Sequence, residues 1–267
     1  MNIPEGAESA RYPVQAVERA LSIVNMLADS PGLRPLGVTE IAAQLGVSKS
    51  TAHRLLTTLA EFNFVTRGVP AGKYRLGWAV YQVAHRLPHA TGVHASAQPL
   101  MRVACDELGE TVNLAIRFDS RMIIVESQGP PGIRVEMPRG VPCLMHNSAA
   151  GKALLLDLDL VALSDLVGPD PLPRTSPRTI TAVGALHANL AASRKRGYTF
   201  DDEEGAEDFC CVGAPVRDHH GEIVASVSVT GPANRLVGPR LKDAGRRLHR
   251  LALDISQGIG FAGESTM

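Results

Sequence analysis

The stretch from Thr39 to Leu59 constrains the fold more than any other part of the sequence. Thr39 and Ser48 are residue types that cap helix N-termini, and each precedes a short helical pattern. Gly46 lies between the two patterns, where a residue that accepts a left-handed backbone ends a helix. Apolar residues recur at helical spacing at Ile41, Ala42, Leu45, Ala52, Leu55, Leu56 and Leu59. The sequence therefore predicts two helices joined by a tight turn, a helix-turn-helix.

Segments on both sides extend this motif to a winged helix-turn-helix over residues 13–77. A helical pattern begins at Val14 and stops before Pro31. After the second helix of the motif, two strand-like runs flank the Gly/Pro-containing turn 68–72. These runs predict a hairpin with basic residues near its tip.

The chain of 267 residues, 45% of them hydrophobic, is long enough for two domains with separate cores. Residues 1–12 are polar and irregular and are predicted to form a disordered arm. Apolar spacing from Trp78 predicts a linker helix, ended by Pro88, within residues 78–90. Residues 91–260 are predicted to form the second domain.

Residues 41–90 form a locally basic segment, although the whole sequence has 27 basic and 27 acidic residues. Between positions 41 and 90 the acidic residue is Glu61, and the basic residues are Lys49, Arg54, Arg67, Lys73, Arg75 and Arg86. This local charge is typical of a module that contacts nucleic-acid phosphates. Chance clustering on a solvated face is the alternative.

The second helix of the motif carries the candidate DNA-reading residues on the face opposite its apolar positions. Ser50, His53 and Arg54 are predicted to contact base edges in the major groove. The residues predicted to contact phosphates are Lys49, Arg67, Lys73 and Arg75. Ser48, Thr51 and Thr57 complete the predicted DNA-binding surface. The alternative is an ordinary helix pair with a solvated polar face.

Beyond residue 91 helical and strand-like patterns are mixed, which predicts an α+β domain with a largely antiparallel sheet flanked by helices. The predicted helices are Leu100–Leu108, Ala149–Leu156, Leu186–Arg196 and Leu241–Ile255. The predicted strands are Val112–Arg117, Met122–Glu126, Ile133–Met137, Tyr198–Asp201, Cys211–Val216 and Ile223–Val229.

The ordered motifs of the chain resemble those of the IclR family of bacterial regulators, from about Val14 to Ile255. The segments that carry this resemblance include Leu45-Gly46-Val47-Ser48-Lys49-Ser50-Thr51, Tyr74-Arg75-Leu76-Gly77, His146-Asn147-Ser148-Ala149-Ala150-Gly151-Lys152-Ala153 and Arg196-Gly197-Tyr198. The resemblance implies a winged-helix domain, a linker helix used in dimerisation and an effector-binding domain related to GAF and profilin-like sheets. It also implies dimers, or pairs of dimers, on near-palindromic double-stranded operators, controlled by small organic acids or related metabolites.

The resemblance places an effector site in the second domain. Ala149 and Ala150, at the start of a helix, would let a ligand approach backbone N–H groups. Asp201, Cys211, Ser228 and Thr230 occupy positions that line the pocket in IclR-like domains, and the last two share one strand face. Val135, Cys143 and Phe209, with Met145, would supply apolar lining. A plain helix start, a half-buried strand and ordinary core residues are the respective alternatives.

Two further hypotheses use the cysteines. The adjacent Cys210 and Cys211 suggest a redox-sensing regulator, although neighbouring strand residues point to opposite faces. An enzyme would need one of them as nucleophile and His146 as base, and the sequence offers no third group to orient that base. We expect a regulator and not an enzyme.

The acidic run 201–204 invites a metal site, but four successive carboxylates lack the usual ligand spacing, so a solvated, helix-capping loop is expected instead. Neither a metal nor another cofactor is predicted. The sequence has no run of apolar residues long enough to cross a membrane and no apolar signal core at its start, which predicts a cytoplasmic protein.

Overall fold

The computed structural model describes residues 14–89, 92–131 and 139–263, with side chains for all of these except 84–89. The chain divides into two compact units, residues 1–87 and 88–267. No helix in the described ranges combines the length and apolar character needed to cross a bilayer.

The N-terminal unit is a winged helix-turn-helix. Its elements are α1 (Gln15–Asp29), a short 3-10 turn (Pro31–Leu33), β1 (Leu36–Gly37), α2 (Val38–Leu45), α3 (Lys49–Glu61), β2 (Val65–Arg67) and β3 (Lys73–Leu76). The strands pair antiparallel in the order β1-β3-β2. Fully buried Ile23, Ile41, Ala52 and Leu56 bring the three helices onto one apolar core.

The turn between α2 and α3 follows the sequence prediction, and the start of α2 does not. Gly46 adopts φ 62°, and Ser48 accepts a hydrogen bond from the Thr51 N–H at 3.1 Å. The predicted cap Thr39 lies inside α2, whose N-cap is Gly37. The Glu40 carboxylate reaches back to accept from the Gly37 N–H at 3.3 Å, so a side chain one turn later replaces the expected capping hydroxyl.

The helix α4 (Trp78–His89) extends one residue past Pro88, so Pro88 does not end it as predicted. Proline lacks the N–H that would bond to the preceding turn, but it does not prevent the next residue, His89, from being helical.

The second unit is built on one six-stranded antiparallel sheet, with strand order β6-β5-β4-β9-β8-β7. Its strands are β4 (Thr111–Phe118), β5 (Arg121–Gln128), β6 (Pro142–Cys143), β7 (Thr199–Asp202), β8 (Phe209–Arg217) and β9 (Ile223–Pro232). Its helices are α5 (Val93–Leu108), α6 (Ala149–Leu154), α7 (Leu160–Val167), α8 (Val183–Arg196) and α9 (Gly238–Gly258). The predicted α+β class with an antiparallel sheet is confirmed.

The sheet separates two apolar clusters. Valines of β4, β8 and β9 pack against α5 and α9 on one side, with Met101 and Leu248 fully buried there. On the other side, α6, α7 and α8 form a second cluster around Leu155, Leu163 and Leu186. Sequence patterns missed α7 and the short strand β6, and the predicted strand Ile133–Met137 lies outside the described residues.

Candidate DNA-binding surface and effector site

The exposed face of α3 is polar and cationic. Lys49, Ser50, His53 and Thr57 are all exposed, while Ala52 and Leu56 on the opposite face are buried. Ser48 is also exposed, and its hydroxyl lies 2.8 Å from that of Ser50 and 2.9 Å from that of Thr51. The first turn of α3 therefore presents a connected row of hydroxyls next to a lysine, with groups suited to base edges and phosphates.

Two of the predicted DNA-reading residues lie at the border of this face. Thr51 and Arg54 line a groove of about 680 Å³ between α1 and α3. The groove is mainly apolar, and its lining includes Val17, Leu21 and Phe62, which are 55%, 60% and 68% exposed. Arg54 is exposed and stays a candidate for base contact.

The hairpin β2–β3 forms the wing and carries the remaining predicted phosphate contacts. Arg67 and Arg75 are exposed, and neither forms an ion pair within the described part of the chain. Lys73 is half-buried, and its Nζ lies 3.5 Å from Glu40 Oε2. Glu40 also accepts from Arg34 at 2.5 Å, and these bonds lower the pKa of Glu40 to about 2. Lys73 is thus partly neutralised, and the two arginines carry the freer charge of the wing.

In the second unit, polar side chains form two rows across one face of the sheet. The strand registers align Asp201, Cys211, Thr230 and Thr111 in the first row. They align Thr199, Gly213, Ser228 and Asn113 in the second. Directly opposed strand residues share a face, so all eight positions lie on the same side. We call this surface the polar face. Except for the half-buried Cys211 and the glycine, each position is a buried polar residue.

Hydrogen bonds from side-chain hydroxyls of the sheet to backbone carbonyls of α6 hold this helix against the sheet. The Thr199 hydroxyl donates to the Ala149 carbonyl at 2.7 Å, and the Ser226 hydroxyl donates to the Ala150 carbonyl at 3.0 Å. Gly213 makes this close approach possible, because a Cβ at this position would collide with the Ala149 carbonyl. Ala149 and Ala150 are therefore held against the sheet.

The acidic run 201–204, which spans the end of β7 and the loop after it, is not the solvated, helix-capping loop that the sequence predicts. Asp201 and Glu204 are buried, and no helix begins there. The Asp201 carboxylate instead accepts hydrogen bonds from the Glu204 and Gly205 N–H groups of the loop itself. Asp202 and Glu203 instead pair with Arg178. Burial, as the main cause, raises the pKa of Asp201 to about 6.

A buried ion pair joins α6 to the loop that follows β7. Lys152 of α6 is fully buried and lies 2.6 Å from Glu204 Oε1. Removing either charge would leave the other unpaired in the interior, which makes the pair a strong positional constraint on α6 and the loop after β7.

The structure brings Cys143 and Met145 to one apolar cluster, which also includes Ala150, and places Phe209 elsewhere. Phe209 is half-buried at the start of β8, on the same side of that strand as Cys211. Cys143 lies on the edge strand β6, with three strands between it and β8. Met145 belongs to the apolar cluster of α6 to α8, as a plain core residue. Val135 lies outside the described residues.

The two adjacent cysteines lie on opposite faces of β8. Cys210 packs in the apolar cluster under α9, and Cys211 lies on the polar face. Burial, with nearby carboxylates, raises the pKa of Cys210 to about 11 and that of Cys211 well above its ordinary value. Both are therefore neutral thiols at neutral pH, which disfavours thiolate chemistry. The proposed base His146 donates to the Pro173 carbonyl at 2.9 Å, and burial lowers its pKa.

Several polar residues of the site escaped the sequence prediction: Thr111, Asn113, Lys152, Thr199 and Glu204. The alternation Thr-Val-Asn-Leu at the start of β4 was the available signal, since it places two polar side chains on one face. Within the described ranges, no group of three or more His, Cys, Asp or Glu side chains is arranged to hold a metal ion.

Comparison with known proteins agrees with this architecture. A family model for the IclR helix-turn-helix domain matches residues 16–68, and one for the bacterial transcriptional regulator IclR C-terminal domain matches residues 85–257. Transcriptional repressor IclR of Escherichia coli (strain K12) is 33% identical over 250 residues, which cover 92% of this chain and 90% of that protein.

Solved structures show the same fold over both units. The crystal structure of Thermotoga maritima IclR aligns with a TM-score of 0.81 at 25% identity, over 93% of this chain and all of that one. An IclR homologue from Microbacterium hydrocarbonoxydans, complexed with 4-hydroxybenzoate, aligns with a TM-score of 0.77 at 21% identity, over 92% and 98% of the two chains. The chain belongs to the IclR family of bacterial DNA-binding transcriptional regulators.

Proposed function

We propose that this protein represses transcription by binding a near-palindromic operator as a homodimer, and that a small organic acid bound in the second unit controls this binding. The main support for DNA binding is the exposed surface of α3. One side of this helix is buried and apolar, and its outer side is polar and cationic, as in a helix that enters the major groove. The 33% identical IclR of Escherichia coli is named a repressor, which supports the sign of the effect.

We assign a different role to each successive segment of the chain. Residues 13–77 bind DNA, residues 78–90 link the two units, and residues 91–260 bind the effector. Effector binding must favour one arrangement of the DNA-binding units over another, since a ligand without differential affinity shifts no equilibrium. A regulator that binds the chromosome acts in the bacterial cytoplasm.

Exposed apolar surface supports the homodimer, with dimers of dimers as its extension. Trp78 and Tyr81 of α4 are 65% and 53% exposed, and their rings stack at 4.6 Å. Val17 and Leu21 of α1 also expose apolar surface beside the groove of the N-terminal unit. Contiguous exposed apolar residues are typical of an interaction surface, and the proposed occupant is a second copy of the chain.

The proposed DNA binding is tested by selecting binding sites from a randomised duplex library with the full-length protein. We expect an inverted repeat whose half-sites are separated by one helical turn, or a multiple of it. A direct repeat, or enrichment of no sequence, would contradict the proposed mode of binding.

Substitutions then separate base contacts from phosphate contacts. His53→Ala is expected to weaken the selected site by about tenfold or more and to relax preference at one position per half-site. Arg67→Ala is expected to weaken all duplexes alike and to flatten the salt dependence by about 0.9 for each phosphate that is no longer neutralised. Arg117→Ala removes an exposed arginine from the second unit and serves as the control. Equal effects of the three changes would contradict the assignment.

A further inference from the structure

Two buried side-chain oxygens on the polar face have no hydrogen-bond partner within the described residues: Thr111 Oγ1 and Asn113 Oδ1. Their residues are 2% and 1% exposed. Buried polar atoms in proteins are nearly always paired, so two such atoms on one strand, two residues apart, indicate a place where an external group binds.

These oxygens belong to a continuous group of polar side chains on adjacent strands. Asn113 donates through Nδ2 to Thr230 Oγ1 at 3.4 Å, and Cys211 Sγ lies 3.4 Å from the same hydroxyl. Cys211 in turn pairs in register with Asp201. Helix α6 is bonded to the neighbouring Thr199 and Ser226, so it does not account for the unpaired oxygens.

Two oxygens of this group, both unable to donate, set its preference, while hydroxyls such as that of Thr111 can either donate or accept. The carboxylate of Asp201 and the amide oxygen of Asn113 accept hydrogen bonds, and no lysine or arginine occurs among the eight positions of the polar face. The nearby Lys152 is paired with Glu204. A ligand carboxylate placed here would meet Asp201 without a compensating cation, whereas an O–H or N–H group would satisfy the unpaired oxygens.

We propose that the effector presents hydrogen-bond donors, hydroxyl or amide N–H groups, to Thr111 and Asn113, so that it is a hydroxylated or amide-bearing metabolite and not a simple carboxylate. This inference rests on the proposed function, because it names the chemical class that the effector site of the second unit selects.

The first test needs no ligand. Thr111→Val in the full-length protein should leave the melting temperature within about 1 °C or raise it, because it removes an unpaired buried oxygen and breaks no hydrogen bond within the described residues. Thr199→Val is the matched control on the same face, where the hydroxyl bonds the Ala149 and Gly213 carbonyls. It should lower the melting temperature by about 3–6 °C. Equal losses for Thr111→Val and Thr199→Val would overturn the inference.

The second test compares ligands that differ in donors. Propionate, lactate and glycerate carry no, one and two hydroxyls on the same skeleton, and glycerol and lactamide present donors without a carboxylate. Benzoate and 4-hydroxybenzoate form an aromatic pair. Thermal-shift titrations should show at least about tenfold tighter binding for the compounds with donors, a preference that falls below about twofold in Asn113→Leu.

The outcomes separate the two proposals. If propionate and benzoate bind as tightly as their hydroxylated counterparts, the donor preference is wrong while an effector site for organic acids stands. If no compound in either series stabilises the protein at millimolar concentration, the acid-effector part of the proposed function is contradicted, and the ligand-free comparison of Thr111→Val with Thr199→Val still decides whether these oxygens are unpaired.

Discussion

The two faces of the six-stranded sheet are made by alternate residues of the same strands, yet they have opposite character. On β4 and β9, Val112, Leu114, Val227 and Val229 face α5 and α9 in a fully apolar interface. The intervening positions on those strands are buried polar residues: Thr111, Asn113, Ser228 and Thr230 of the polar face, and Ser226 next to them. Both faces are buried, so their polarity does not reflect contact with solvent.

This difference assigns distinct roles to the faces. Apolar residues in contact stabilise the unit through burial. Buried polar residues contribute little net stability, and they are costly when unpaired. We therefore propose that the unpaired positions of the polar face serve binding and that the apolar face serves folding. Changes to the apolar face should act mainly on stability, and changes to the unpaired polar positions mainly on ligand response.

The largest effect is expected from a cavity on the apolar face. Leu248→Ala removes a fully buried side chain of α9 and should lower the free energy of unfolding by about 2–5 kcal/mol. Ser228→Ala, a smaller truncation on the polar face, should cost less than about 1 kcal/mol. Urea denaturation measures both values. Similar losses at the two positions would show that both faces are ordinary core.

The next effect concerns the pH dependence of stability. The folded-state pKa of Asp201 is about 6 and lies above the ordinary 3.8, so its protonated form favours folding. This contribution is complete below about pH 4 and is lost as the pH rises through about 6; it is on the order of 3 kcal/mol. Asp201→Asn should make the protein more stable at pH 7 relative to pH 5 than wild type is.

The control for that prediction is the neighbouring, largely exposed Asp202. Asp202→Asn should leave the difference in unfolding free energy between pH 5 and pH 7 almost unchanged. If Asp202→Asn and Asp201→Asn flatten the profile equally, or if Asp201→Asn leaves it unaltered, the buried carboxyl at the edge of the polar face does not titrate as described.

The smallest of the three effects is expected where α6 meets the sheet. Gly213→Ala introduces a Cβ that collides with the Ala149 carbonyl, and the resulting shift of α6 should cost about 1–3 kcal/mol. Gly184→Ala, in α8 with open space around it, should stabilise by about 0.4–1 kcal/mol. Thermal unfolding compares the pair. A neutral Gly213→Ala would mean that α6 is not fixed against the polar face.

Sequence reasoning succeeded where local spacing decides which side of an element is buried. The exposed residues of α3 follow from helical periodicity alone, because Ala52 and Leu56 fix the orientation of the helix. The α+β class followed from mixed periodicities in the same way. The helix α7 was missed because six of its eight residues are apolar, and the periodicity of so short an apolar run does not distinguish a helix from a strand.

The effector site was harder to predict because it depends on strand order. Asn113 meets Thr230 only because β4 pairs with a strand 117 positions later in the chain. Cys143 was expected to line the same pocket as Phe209, but strand order places the two on β6 and β8. Long-range pairing of this kind is not encoded in the spacing of a single segment, so the unpaired oxygens could be found only in the folded chain.

The central claim is that ligand contact at the polar face controls DNA binding, and operator titrations with wild type and Asn113→Leu test it most directly. The duplex is the site chosen from the random library, and the ligand is the compound that most stabilises the protein. The account predicts equal operator affinity of both proteins without ligand, a shift of about tenfold for wild type with ligand, and less than about twofold for Asn113→Leu. An equal ligand-induced shift in both proteins would contradict it.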